Sequence, residues 1–146
     1  MVHRSRKHAR SNSRSRSARR SRASAATKAA SRSASRALKS ALSKTKTASK
    51  TAQAAMKEFL PDLTTTNPGG GFYLWVDLPK GINSKTMLPR AVENLVAYTP
   101  GTAFYGNGTG QEYLRISYSY PTPENIRVGV ERLAKTINEV LSTVKG

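Results

Sequence analysis

The chain of 146 residues contains no cysteine, and its only two histidines, His3 and His8, lie near the amino terminus. The missing cysteines exclude disulfide bonds, thiolate metal ligands and a cysteine nucleophile. A metal site built on imidazole, or a Ser-His-Asp triad, would have to use His3 or His8, which lie in a strongly basic stretch, so we expect neither. No apolar run approaches the ~20 residues that span a bilayer, and no apolar segment of a secretory signal follows the basic start. We therefore expect a cytoplasmic protein without a membrane partner.

The first 55 residues also lack every acidic and every aromatic residue, although they carry 16 of the 25 Lys and Arg residues. Their only apolar side chains are the alanines, Met1, Val2, Leu38 and Leu42. All eight acidic residues come later, and all ten aromatic residues lie between Phe59 and Tyr120. Because a core requires large apolar side chains, we predict a disordered basic tail at residues 1–47 and one small globular unit at residues 48–146.

Several interpretations of the basic tail stay open. Its Arg, Ser and Ala composition and its density of like charge are typical of disordered, solvated chain, and also of a segment translated in the wrong reading frame. Clustered Lys and Arg bind polyanions by releasing counterions, here without sequence readout, because the tail has no aromatic side chain to stack on bases. A targeting peptide fits the composition but requires an amphipathic helix, and residues 3–36 contain no apolar side chain larger than alanine.

Hydrophobic periodicity over residues 48–146 predicts an interleaved set of helices and strands. Apolar residues at helical spacing predict helices over 48–60, from Ser84 as N-cap to residue 95, and from Thr122-Pro123 to residue 141. Alternation of apolar and polar residues predicts strands over 72–78 and 113–120, and residues 96–99 are a short strand candidate. The order indicates an α+β fold with a small antiparallel or mixed sheet and packed helices.

Five segments of this unit together carry a resemblance to a known family. They are residues 60–62 (LPD), 68–76 (PGGGFYLWV), 96–105 (VAYTPGTAFY), 113–119 (YLRISYS) and 126–133 (IRVGVERL). In order and spacing they resemble the carboxy-terminal small domain of class I/II pyridoxal-phosphate-dependent aminotransferases, with the closest similarity to the aminoadipate/aromatic-type branch. The resemblance covers residues 48–146 and implies the fold of that small domain.

The resemblance also implies a role for Arg115, because the matching arginine in the family grips the α-carboxylate of the substrate. A guanidinium suits that role, since its planar fork forms two parallel hydrogen bonds to a carboxylate. Phe104 and Tyr105 resemble a segment that approaches the active site, although packing in a core or an interface explains them equally well. Family members are homodimers that transfer an amino group between an amino acid and a 2-oxo acid, with pyridoxal phosphate held by a lysine of the large domain. No such cofactor lysine is recognisable in this chain.

Two hypotheses about function follow. The chain is a truncated or frame-disrupted aminotransferase that retains Arg115 but lacks the lysine-bearing large domain, in which case we expect it to be inactive alone. Alternatively, it is a small non-catalytic protein whose basic tail binds nucleic acid or other polyanions non-specifically.

Overall fold

The computed structural model describes the backbone of residues 5–145 and the side chains of residues 22 and 24–144. The chain divides into two units, one up to Leu42 and one from Ser43 onward. The elements in chain order are α1 (Ser5–Phe59), β1 (Tyr73–Asp77), α2 (Ser84–Glu93), β2 (Thr99–Pro100), a 3₁₀ turn (Gly101–Phe104), β3 (Tyr113–Ser117) and α3 (Pro123–Lys145).

Helix α1 includes the segment that the sequence analysis predicts to be disordered, and here the structure differs from the prediction. Residues 5–47 are helical, because the chain has no glycine or proline before residue 61 and is rich in Ala, Arg and Lys, which favour helix. All described side chains between residues 22 and 44 are exposed, so this part of α1 buries none of them. No helix among the described residues is both long and apolar enough to cross a membrane. The boundary at residue 47 stays a prediction.

The three strands form an antiparallel sheet with the order β1-β3-β2, so that β3 lies at its centre. In this register Arg115 of β3 lies opposite Trp75 of β1 and opposite Thr99 of β2. The predicted α+β class with a small antiparallel sheet is confirmed. Strand β3 ends at Ser117, three residues before the predicted end at residue 120.

Both outer edges of the sheet have distinctive hydrogen bonding. Next to β1, the N–H of Thr66 donates to the carbonyl of Trp75, and the N–H of Asp77 donates to the carbonyl of Thr64, each at 3.0 Å. At the other edge, β2 has only two residues, and one of them is Pro100, which has no N–H to donate.

The core lies on one face of the sheet, between the strands and the helices of the second unit. Leu74, Val76 and Leu114 are fully buried there. The helices contribute Ala52, Ala55 and Met56 of α1, Met87 and Ala91 of α2, and Ile126, Val130, Leu133 and Ile137 of α3. Because successive strand residues point to opposite faces, Tyr73, Trp75 and Arg115 lie on the other face, which the core helices leave uncovered.

The caps of α2 and α3 follow from side chains that accept hydrogen bonds from the first turn. Asn83, and not the predicted Ser84, caps α2: its Oδ1 accepts from the N–H groups of Lys85 at 2.9 Å and Thr86 at 3.4 Å. Ser84 is instead the first helical residue and is fully buried. Thr122 caps α3 as predicted, since its Oγ1 accepts a hydrogen bond from the N–H of the third helical residue at 3.3 Å.

Helix α2 ends in a Schellman motif, which also explains why β2 is shorter than predicted. The N–H of Leu95 donates to the carbonyl of Val92 at 2.9 Å, and the N–H of Val96 donates to that of Ala91 at 3.0 Å. Leu95 consequently has a left-handed backbone, with φ of +61°, and an exposed side chain. Residue 96 belongs to the cap, so the strand predicted over 96–99 begins only at Thr99.

Candidate functional site

Arg115 occupies the middle of β3, the central strand, on the sheet face that the helices leave uncovered. Its neighbour Leu114 is fully buried on the opposite face. The structure therefore confirms the predicted position of Arg115 on an antiparallel strand, although position alone does not define a role.

Two aromatic rings contact the guanidinium of Arg115. The Cζ atom lies 4.0 Å from the ring centroid of Tyr73 and 4.5 Å from that of Phe104, within the range of cation–π attraction. These contacts use the faces of the rings and pair none of the N–H donors with an acceptor from the described residues. The Nε of Arg115 is buried and has no hydrogen-bond partner among the described residues. A buried donor without an acceptor is unfavourable, so an acceptor from outside the chain would stabilise this group.

The other arginines of residues 43–144 are all satisfied by oxygen atoms. Arg90 and Arg127 form ion pairs with glutamates, and Arg132 donates to a backbone carbonyl at 3.1 Å. Within this part of the chain, Arg115 is the one arginine whose side chain forms neither an ion pair nor a hydrogen bond. An ordinary structural arginine would show such a partner, and Arg115 shows aromatic contacts instead.

The rings near Arg115 form an aromatic cluster, which consists of Tyr73, Trp75, Phe104, Tyr105 and Tyr113. Trp75 contacts Phe104 edge-on at 5.3 Å and Tyr113 at 5.7 Å, and Tyr105 stacks on Tyr113 at 6.1 Å between ring centroids. Phe104 and Tyr105 are 45% and 39% exposed, so they are not core residues. The cluster thus places two partly exposed rings, Tyr73 and Phe104, against the cation.

Two glycines allow the chain to bring this cluster together. A Cβ on Gly101 would lie 2.3 Å from the carbonyl oxygen of Gly110 and 2.8 Å from Cβ of Tyr113, so only glycine lets the 3₁₀ turn approach β3. Gly110 has φ of +83°, and a Cβ there would lie 2.3 Å from the ring of Tyr105. The 3₁₀ turn starting at Gly101 ends at Phe104, which it places against Arg115.

Sequence reasoning identified Arg115 but did not connect it with Tyr73 and Trp75. Alternation along β1 and β3 separates these residues from the core positions, and that signal was available. Their assembly around one arginine depends on the β1–β3 register, which pairs Trp75 with Arg115 and is set by contacts distant in sequence.

The phenol of Tyr113 is neutral at neutral pH. Its pKa is raised above the ordinary value of a tyrosine, mainly by the negative charge of Glu112.

A separate cavity of about 310 Å³ lies on the other side of β3. Its lining is largely apolar and includes Ile116, Tyr118, Ile126 and Val130, and Arg115 does not contribute to it. Among the described residues there is no group of three or more His, Asp or Glu side chains placed to hold a metal ion. The unpaired cation of Arg115 is therefore the feature of this unit that points most directly to a ligand.

Comparison with known proteins gives consistent matches. The chain matches the family described as aminotransferase class I and II over residues 2–133. It is 44% identical over 86 residues to aromatic-amino-acid aminotransferase 1 of Thermococcus litoralis, covering 58% of this chain and 21% of that enzyme. It is 38% identical over 88 residues to 2-aminoadipate transaminase of Thermus thermophilus, covering 60% and 22%. The chain thus spans about a fifth of the length of these relatives.

Solved structures show the same similarity in three dimensions. A kynurenine aminotransferase from Pyrococcus horikoshii matches with a TM-score of 0.66 and 40% identity, over 68% of this chain and 25% of that one. The alpha-aminoadipate aminotransferase of Thermus thermophilus, solved with N-(5'-phosphopyridoxyl)-L-leucine, matches with a TM-score of 0.63 and 34% identity, over 66% and 25%. Both similarities extend over about two thirds of this chain.

Proposed function

Because the chain belongs to the class I and II aminotransferases, a pyridoxal-phosphate-dependent family, we propose that Arg115 binds the α-carboxylate of an amino-acid or 2-oxo-acid substrate. The observation that carries this proposal is the unpaired guanidinium of Arg115, in contact with two rings and without an oxygen partner among the described residues. A carboxylate would accept hydrogen bonds from the planar fork and neutralise its charge.

The proposed role of Arg115 is to bind and orient. Its position on the central strand fixes the direction from which a carboxylate approaches, because both neighbouring strands hold β3 by hydrogen bonds. Held by two parallel hydrogen bonds, a carboxylate loses rotational freedom, and its α-carbon then lies in a defined place. Such orientation contributes to amino-group transfer when the reacting centre is supplied by the rest of an active site.

The cofactor of the family supplies an electron sink for bonds at the α-carbon of the substrate. All seven lysines of residues 43–144 are exposed to solvent, and an exposed lysine lacks the desolvation that activates an amine. These lysines therefore do not fit pyridoxal phosphate on their own. We propose that this unit, in the cytoplasm, is the carboxylate-binding part of an aminotransferase, and that residues 43–144 do not transaminate alone.

A titration of the full chain with pyruvate tests the role of Arg115. Trp75 is the only tryptophan and lies opposite Arg115, so its indole N–H resonance reports on this site. We expect a saturable shift with a dissociation constant on the order of millimolar, as suits one small anion. The methyl ester of pyruvate, which has no carboxylate, should give no saturable shift. Arg115→Leu should abolish the response, and Arg22→Leu, which removes one exposed charge elsewhere, should preserve it. An unchanged response in Arg115→Leu would overturn the proposal.

Charge asymmetry supports a second, independent proposal, that α1 binds polyanions non-specifically. Its first 53 residues, 5–57, contain no acid, and its described basic side chains between residues 22 and 44 are exposed. Replacing Arg22, Arg32 and Arg36 together by Gln should lower the salt dependence of binding to random-sequence duplex DNA by about three in log–log slope. Replacing three exposed lysines of the folded unit, Lys80, Lys85 and Lys135, removes the same charge and should leave the slope unchanged. Equal effects of the two triple variants would contradict this proposal.

A further inference from the structure

We infer that Tyr73 and Phe104 are positioning residues, which hold the guanidinium of Arg115 in the orientation that accepts a carboxylate. The inference rests on the proposed function of Arg115 and deepens it. An arginine side chain has many rotamers and loses their entropy when it is fixed. Rings that hold the guanidinium before a ligand arrives remove part of that loss from the binding step, as preorganisation does in general.

The two rings are well placed for this role because each is itself held by the fold. Tyr73 is the first residue of β1, two positions from Trp75, which pairs with Arg115 across the strands. Phe104 ends the 3₁₀ turn and rests edge-on against Trp75 at 5.3 Å. Neither ring supplies a hydrogen-bond acceptor to Arg115, so the stacking holds the cation without occupying its donors.

The same chain contains a completed version of this arrangement. Arg127 lies over the ring of Phe59 at 4.8 Å and is also paired with the carboxylate of Glu58. An aromatic contact and a carboxylate therefore bind one guanidinium together in this protein. At Arg115 the aromatic contacts are present, twice over, and no carboxylate of the described residues pairs with it. An anion at Arg115 would complete the arrangement there as Glu58 completes it at Arg127.

The inference predicts that loss of either ring weakens carboxylate binding without unfolding the protein. In the pyruvate titration of the full chain, Phe104→Leu and Tyr73→Leu should each raise the dissociation constant about two- to fivefold, the range expected for one cation–π contact at a partly exposed site. Phe104→Tyr and Tyr73→Phe retain a ring and should restore binding to within the error of the wild-type value. Tyr120→Leu removes a ring that is 98% exposed and outside the cluster, so it should change nothing.

The readouts separate failure of the inference from failure of the proposed function. If Arg115→Leu abolishes binding but both leucine variants bind pyruvate as the wild type does, the positioning role is wrong and the carboxylate role stands. If Arg115→Leu binds as well as the wild type, both are wrong. Urea unfolding of each variant identifies misfolding. If a leucine variant does not fold, the ring-retaining variants Phe104→Tyr and Tyr73→Phe provide the decisive comparison. Weaker pyruvate binding by a ring-retaining variant would also overturn the inference.

Discussion

Replacing Arg115 by alanine should leave the free energy of unfolding almost unchanged, although the residue lies at the centre of the sheet. The substitution removes two cation–π contacts, each worth about 0.5–1 kcal/mol at a partly exposed site. It also removes a buried Nε that has no partner in the part of the chain that the structure describes, and removing that donor returns about 1 kcal/mol. No ion pair is lost, since Arg115 forms none with the described residues. The two effects largely cancel, and we expect a net loss of about 1 kcal/mol or less.

The neighbouring residue provides a matched control on the same strand. Leu114 is fully buried in the core, and Leu114→Ala should destabilise the unit by about 2–5 kcal/mol through lost burial and a residual cavity. The comparison holds strand position and backbone constant, so it isolates the difference between the two faces of β3.

Equilibrium unfolding in urea, followed by the fluorescence of Trp75, measures both substitutions. Trp75 is the only tryptophan and is half-buried in the aromatic cluster, so its emission reports on unfolding of this unit alone. A loss of more than about 2 kcal/mol for Arg115→Ala, or a loss equal to that of Leu114→Ala, would place Arg115 among structural residues. The assignment of Arg115 to ligand binding would then be wrong.

Three further predictions concern stability. Leu95→Gly should stabilise the unit by about 0.5–1 kcal/mol in thermal unfolding, because it relieves a left-handed leucine at little loss of burial; destabilisation would refute this. Tyr98→Phe should destabilise by about 1–2 kcal/mol, because its hydroxyl donates to a buried backbone carbonyl at 2.7 Å. Tyr118→Phe removes a hydroxyl that has no partner among the described residues and should be neutral or stabilising; the reverse order would contradict the hydrogen-bond assignment. Hydrogen bonding, chiefly from Asn94, lowers the pKa of Glu139 below 4.5, so its contribution is complete above that pH and is lost as the pH falls through the lowered pKa. Glu139→Gln should therefore flatten the acid side of a stability–pH curve, and an unchanged curve would refute the assignment.

Local patterns predicted the elements whose signals are continuous in sequence. The alternation in β1 and β3 and the Thr122-Pro123 helix start are properties of adjacent residues, and the structure confirms them. The N-cap of α2 was misassigned because Asn83 and Ser84 are both good caps, and the choice depends on which residue the core buries. The expected disorder of residues 5–47 followed from charge, whereas the structure follows the helix propensity of Ala, Arg and Lys.

The site was only partly predictable for a different physical reason. Arg115 could be singled out from its motif, but the two rings that contact it come from β1 and from the turn after β2, 42 and 11 residues away in sequence. Their meeting requires the β1-β3-β2 order and the close approach at Gly101, and neither is encoded in any short window of the chain.

The hydrogen bonding at the two edges of the sheet has a consequence for how this small unit behaves in concentrated solution. An unpaired strand edge recruits other chains into intermolecular sheets, the first step of many aggregates. Here the residues around Thr65 already form hydrogen bonds with backbone N–H and C=O groups at the outer edge of β1. At the opposite edge, Pro100 of β2 has no N–H to donate. Self-association by strand addition is therefore disfavoured at both ends of the sheet. The exposed aromatic face can then remain open to ligands while neither edge of the sheet favours strand addition.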